Sequence, residues 1–140
     1  MAKFTAIALQ EVAIGQNVQF TDDSICGGDG IVHRQGAGIV TLRGITNQCR
    51  ARYRVSFTGN IQIPTGGTVE EISLAFSING EPITGTQAIV TPAAVEQLWH
   101  VSLIDHIDVP RGCCFTIAVQ NTSDQVIEVQ NASLIVERIA

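Results

Sequence analysis

Arg50-Ala51-Arg52-Tyr53-Arg54-Val55-Ser56-Phe57-Thr58-Gly59 is the stretch whose reading decides the fold. Arg50, Arg52, Arg54, Ser56 and Thr58 fall on one side of an extended chain, and Ala51, Tyr53, Val55 and Phe57 fall on the other. Successive side chains of a strand point to opposite faces, so this alternation spells a strand with one face turned inward. Residues 70–79 repeat the pattern, with Ile72, Leu74, Phe76 and Ile78 opposed to Glu71, Ser73, Ala75 and Ser77. Residues 113–121 do so again, with Cys113, Phe115, Ile117 and Val119 opposed to Cys114, Thr116, Ala118 and Gln120. Half-buried strands of this kind belong to antiparallel sheets.

Turn-forming clusters separate these runs: Gly27-Gly28-Asp29-Gly30, Pro64-Thr65-Gly66-Gly67, Asn79-Gly80-Glu81-Pro82, Pro110-Arg111-Gly112 and Asn121-Thr122-Ser123-Asp124. They cut the chain into strands at 4–11, 16–20, 30–35, 38–44, 50–60, 70–79, 83–91, 95–109, 113–121 and 125–138. The last run slips phase, because Ile127 and Val129 share one face while Leu134 and Val136 take the other parity, so a bulge is expected near Gln130-Asn131. Thr91-Pro92-Ala93-Ala94-Val95 is read as a helical turn, since Pro suits a first helical position. No linker, repeat or low-complexity segment interrupts the pattern. An all-β antiparallel jelly-roll sandwich of about eight to ten strands, one domain over residues 1–140, follows.

Composition agrees. The chain holds 18 Ile, 14 Val and 12 Thr against 6 Leu, and β-branched residues suit a pleated sheet. Charged residues are only 15% of the chain, where an average soluble domain has roughly 25%. So few charges leave apolar surface to be covered, and self-association is expected. No apolar run approaches the roughly 20 residues of a spanning helix, so no membrane is expected. Met1-Ala2-Lys3-Phe4 opens no secretory signal. A net charge of −5 argues against nucleic acid as partner.

A resemblance adds to this reading. Ile78-Asn79-Gly80-Glu81-Pro82-Ile83 resembles the strand–turn–strand V-N-G-x-P-I of small bacterial jelly rolls, and residues 132–139, Ala-Ser-Leu-Ile-Val-Glu-Arg-Ile, resemble their closing strand. Asn17-Val18-Gln19-Phe20, the 38–44 strand and the Asp108-Val109-Pro110-Arg111-Gly112 run fit the same order. The family is the tumour-necrosis-factor-like and complement-globular-head-like jelly roll. Its bacterial examples include terminal domains of spore-surface collagen-like glycoproteins and small (pro)phage virion proteins. The chain departs from the collagen-like members in having no Gly-x-y repeat.

Motifs that carry chemistry are missing. Gly28-Asp29-Gly30 and Gly36-Ala37-Gly38 lack the third glycine of a dinucleotide loop, and neither G-K-[ST] nor G-x-S-x-G occurs. His100 and His106 share a strand face but stand about 20 Å apart in an extended chain, too far to share a metal within one subunit. Across a threefold axis, three copies of one His could still meet. Asp22, Asp23 and Asp29 lack the spacing of a calcium loop, and Asn121-Thr122-Ser123 and Asn131-Ala132-Ser133 match the glycosylation sequon only formally. Cys26, Cys49, Cys113 and Cys114 form no C-x-x-C and are read as free thiols, with a Cys26–Cys49 or intersubunit bridge left open. No enzyme and no cofactor are expected.

Two features point outward. Arg50, Arg52 and Arg54 form a ladder about 7 Å per step, either solvated or docking on an acidic surface or on acids of a neighbouring subunit. The 95–109 strand is apolar on both faces, with Trp99, Val101 and Leu103 on one and Leu98 and Ile104 on the other. A strand of that kind is buried twice, and in the family it resembles the second burial is against the next subunit of a trimer. Tyr53, Phe57, Leu98, Trp99, Val101, Leu103 and Ile104 are therefore the expected subunit interface. The reading reached is a non-enzymatic virion or particle-surface protein (a phage capsid decoration, head-fibre or spike module) that forms homotrimers. It is expected on the virion or particle surface after cytoplasmic assembly, with a capsid or other particle-surface protein as partner. The alternative is a bacterial spore- or cell-surface adhesion module that recognises glycan or host protein.

Overall fold

The computed structural model describes residues 1–25 and 30–140, the side chain of Thr84 excepted. In chain order the strands are β1 (Ala2–Ala6), β2 (Gln10–Val12), β3 (Asp22–Ile25), β4 (Ile31–His33), β5 (Val40–Arg43) and β6 (Arg50–Gln62). There follow β7 (Ile72–Ile78), β8 (Glu81–Pro82), β9 (Ala88–Val90), β10 (Trp99–Pro110), β11 (Cys114–Asn121) and β12 (Ile127–Arg138). The first sheet has the order β10-β6-β12-β1-β3, with β2 also paired to β12. The second has the order β4-β5-β11-β7-β8, with β9 paired to β7. The strands pair antiparallel throughout.

The predicted alternation is what closes the two sheets on each other. Ala51, Tyr53, Val55 and Phe57 of β6 are fully buried and meet Leu42, Leu74, Phe76, Ile117 and Val119 of the second sheet in one apolar cluster that spans Ala2 to Val136. Asn79 (φ 52°) and Gly80 (φ 89°) both take left-handed backbone, the pair a tight hairpin turn between β7 and β8 demands. The bulge falls where the phase slip placed it. The register of β12 against β6 shifts between Gln130 and Ser133, and Asn131 turns to φ 55° and donates its N–H to the Ile7 carbonyl. One extra residue is thereby absorbed, so that Val129 and Leu134 both point inward.

Several expected strands differ. The 4–11 run breaks at Ile7–Leu9 into β1 and β2, and Asp22–Ile25 forms a strand that alternation did not reveal. Residues 16–20 make only an isolated bridge, Asn17 to Gln120, yet Val18 and Phe20 are fully buried. The helical turn lies at Thr84–Thr86 rather than at Thr91–Val95, and it replaces the first half of the 83–91 strand. In β7 Ser73, Ala75 and Ser77 are buried as well, so its second face is covered. The loop after β11 covers one end of it, where Ser73 N–H donates to Ser123 Oγ and Thr122 N–H donates to the Ser73 carbonyl.

At one end the two sheets are tied by polar contacts. The Tyr53 hydroxyl of β6 crosses to the second sheet and donates to the Arg43 carbonyl at 2.7 Å, with the Gly30 carbonyl at 3.3 Å. Burial pushes its phenol above the ordinary value. Beside it, Gly44 N–H donates to the Cys113 carbonyl and Gly112 N–H to the Gly44 carbonyl. A Cβ at Gly44 would stand 2.0 Å from the Pro110 carbonyl oxygen, backbone that has no side-chain freedom to yield. Gly44→Ala should therefore lower Tm by roughly 10 °C, the effect of a few kcal/mol of overpacking. Gly85→Ala, with open space around it, is the control. Equal melting of the two variants would show that this approach of β5 to the end of β10 is not required.

Candidate functional site

The outer face of the first sheet is assembled by register from five strands. One row runs Ile104, Ser56, Ile135, Lys3, Ile25, and the next runs Ser102, Thr58, Ser133, Thr5, Asp22. A third carries His100, Asn60 and Gln130, with His100 Nδ1 3.3 Å from Asn60 Oδ1. Ile104 is 66% exposed in the middle of β10. Across β10, β6 and β12 these three rows hold Ser, Thr, Asn, Gln, Ile and one His but no Lys, Arg, Asp or Glu.

Charge gathers at one end of this face, where the arginine ladder lies. Arg52 grips Asp108 with both nitrogens, Nε at 2.7 Å and Nη2 at 3.1 Å, and Arg50 Nε reaches the same carboxylate at 3.1 Å. Arg54 pairs with Glu137 on β12. The ladder is thus paired with acids of the same chain while remaining at the surface. The hydrogen bond from Arg52 is the main cause that holds the Asp108 carboxyl below the usual carboxylate range, and Asp108 raises Arg52 in return.

The expected interface residues divide. Tyr53, Phe57, Val101 and Leu103 lie in the core of the chain, because they share the inward parity of β6 and β10. Leu98, Trp99 and Ile104 are on the surface. Trp99 has inward parity but stands at the first position of β10, past the edge of the core, and is 44% exposed with its Nε1 donating to Gln97 Oε1. The outward face of β10 is polar around Ile104, and Leu98 precedes the strand, so the second apolar face expected of the 95–109 run reduces to these two residues.

β10 is the outer strand of its sheet, and its open side is guarded. The His106 N–H is taken by the Asp105 carboxylate, and Pro110 ends the strand without a donor. An inward-parity acid and a terminal proline are the usual means of blocking strand addition. The sequence reading also passed over His33, whose ring is buried against Phe4 at 4.4 Å, with Nδ1 at Asp23 and Nε2 at the Ala37 carbonyl. Its parity with Ile31 was the available signal. Asn121 is 1% exposed, and its amide donates to the carbonyls of Val12, Ala13 and Gln125, so this sequon is a structural clasp. Among the described residues no group of three or more His, Cys, Asp or Glu could hold a metal ion. Cys26 and Asp29 lie outside them.

A carboxyl held low in the folded state contributes stability above its unfolded value of about 4 and loses it as pH falls through the folded value. The gap in Tm between wild type and Asp108→Asn should therefore be present, though small for so exposed a group, at about pH 6 and close by about pH 2. A gap that persists at the acid end would show that charge is not what binds Arg50 and Arg52 to Asp108.

No protein-family model and no curated protein matches the chain. Among solved structures, the globular domain of zebrafish complement 1qA protein superposes with a TM-score of 0.56 at 9% identity, over 96% of this chain and 94% of that one. The C-terminal domain of EclA, described as a sugar-binding protein, superposes with a TM-score of 0.43 at 15% identity, over 94% of this chain and 79% of that one. The first of these shows the fold: two antiparallel sheets in a complement-head-like and tumour-necrosis-factor-like jelly roll.

Proposed function

We propose that the chain is a non-enzymatic structural module that forms a homotrimer through the outer face of the first sheet and serves on a virion or other particle surface, with a capsid or particle-surface protein as its partner. The observation that carries the reading is the composition of that face. On β10, β6 and β12 its three central rows hold no Lys, Arg, Asp or Glu, so little charge must be desolvated when it is covered, and an exposed Ile104 is available as an apolar anchor. The arginine–acid pairs border it at one end, as a charged rim borders an apolar interface centre. Association through the face rather than the edge also fits the guarded side of β10. Assembly in the cytoplasm, the expected route, is compatible with the free thiols Cys49, Cys113 and Cys114.

A chain of 14.9 kDa should scatter light as a species of about 45 kDa at micromolar concentration. Ile104→Lys should shift it to about 15 kDa with unchanged strand content, since Ile104 makes no contribution to the core. A wild-type mass of 15 kDa overturns the trimer. Co-purification with capsid or tail proteins in particles from the native host tests the particle role, and a particle-free protein that binds glycans would favour the adhesion module instead.

A further inference from the structure

Free cysteines are among the most buried of residues, yet Cys49, Cys113 and Cys114 are all exposed. They also share one end of the sandwich. The Arg111 N–H donates to the Cys49 carbonyl at 2.9 Å, the Gly44 N–H donates to the Cys113 carbonyl at 2.9 Å, and Cys114 is the register partner of Arg43. The segment 43–50 and the turn 110–114 are thereby laced together, and the three thiols stand on them. Four of the chain's seven arginines are at the same end: Arg43, Arg50, Arg111 and Arg138. Among the described residues Arg43 and Arg111 enter no ion pair, while Arg50 shares Asp108 with Arg52. Directly before Cys49 lies an open depression of about 500 Å³ lined by Ile45, Thr46, Asn47, Gln48 and Arg138. In an acidic chain this is a local cationic region built around thiols. The opposite end of β11 is its reverse, with Glu70, Glu71 and Asp124 around a depression of about 280 Å³.

We propose that this end is a thiol-exchange site for anionic disulfides, with the arginines drawing the disulfide's carboxylates and the depression beside Cys49 seating them. A thiol of Cys49, Cys113 or Cys114 gives up its proton, and the thiolate attacks one sulfur of the incoming disulfide R–S–S–R. A new S–S bond joins the protein to one half, the old S–S bond breaks, and the other half leaves as a thiolate that takes up the proton. The cysteine is oxidised and one half of the reagent is reduced, so no further oxidant is needed. The proposal is independent of the trimer, because every group it uses lies within one chain.

The test is the rate of thiol loss in the reduced, folded protein with oxidised glutathione, which is anionic, and with cystamine, which is cationic, followed by intact mass. The ratio of the two rates is compared with the same ratio for a neutral model thiol, N-acetylcysteine amide. We expect the protein's ratio to exceed the model's by roughly tenfold, and to fall toward it in high salt, as electrostatic steering does. Arg138→Gln together with Arg111→Gln should cut the preference. The adduct, or the intrachain bridge formed when a second thiol displaces it, should map to Cys49, Cys113 or Cys114. Replacing all three by Ser while leaving Cys26 in place should abolish it. A ratio equal to the model's, or an adduct that survives the triple replacement, overturns the proposal.

Discussion

Strand β6 is thirteen residues long and is hydrogen-bonded on both sides, to β10 over twelve register pairs and to β12 across the bulge. Its side-chain phase therefore sets which face of three strands looks into the sandwich. Once Ala51, Tyr53, Val55 and Phe57 point inward, cross-strand pairing forces Leu103, Ile107 and Val109 to do so from β10 and Leu134 and Val136 from β12. A slip of one residue would turn Arg50, Arg52 and Arg54 into the core and expose Tyr53 and Phe57. No arrangement of the remaining strands could offset three buried guanidinium groups without partners. The β12 bulge serves the same constraint, since it lets twelve residues keep their apolar side inward although the chain's parity changes halfway.

That same phase separates what one face can do from what the other must do. The inward parity is committed to folding, and only the outward parity is free to carry recognition. On the outward side of β10, β6 and β12 the Arg–Asp and Arg–Glu pairs lie near the Pro110 end, and the three rows beside them are neutral. The pairs are exposed and add little to stability. Their consequence is geometric: they hold three long arginine side chains against the sheet and leave the neutral rows beside them flat.

Much of this was legible in the chain. Alternation in 50–59, 70–79 and 113–121 gave the strands, Asn79-Gly80 gave the hairpin, and the mismatch between Ile127/Val129 and Leu134/Val136 located the bulge. What escaped was everything that depends on the ends of strands and on the third dimension. Trp99 has the parity of a core residue, and nothing in the sequence says that its position lies past the edge of the core. Val18 and Phe20 are buried outside any regular strand, held by N–H bonds to the Val119 and Ala37 carbonyls, because irregular backbone can also turn apolar side chains inward, and alternation does not register it. Ser73, Ala75 and Ser77 read as a solvent face, since small and polar residues look alike whether they meet water or a covering loop with its own hydroxyls. The arginine ladder was visible, but its acids were not, because Asp108 and Glu137 come from two other strands that only the register brings alongside.

The thiols illustrate the limit most sharply. In the sequence Cys49 is more than sixty residues from Cys113, and nothing joins them. The structure joins them because Gly44 has no side chain: only a glycine admits the Pro110 carbonyl so closely, and only that approach lets the 44–49 loop bond to the 110–113 turn. The arginines follow for the same reason, since Arg43 and Arg50 flank that loop and Arg111 sits in that turn. Tyr53 closes the arrangement from below, its hydroxyl donating to the Arg43 carbonyl and standing 3.3 Å from the Gly30 carbonyl. A packing necessity at one glycine and one buried phenol thus sets three thiols among arginines, and the chemistry that this end can perform is a product of how the two sheets are closed rather than of any motif along the chain.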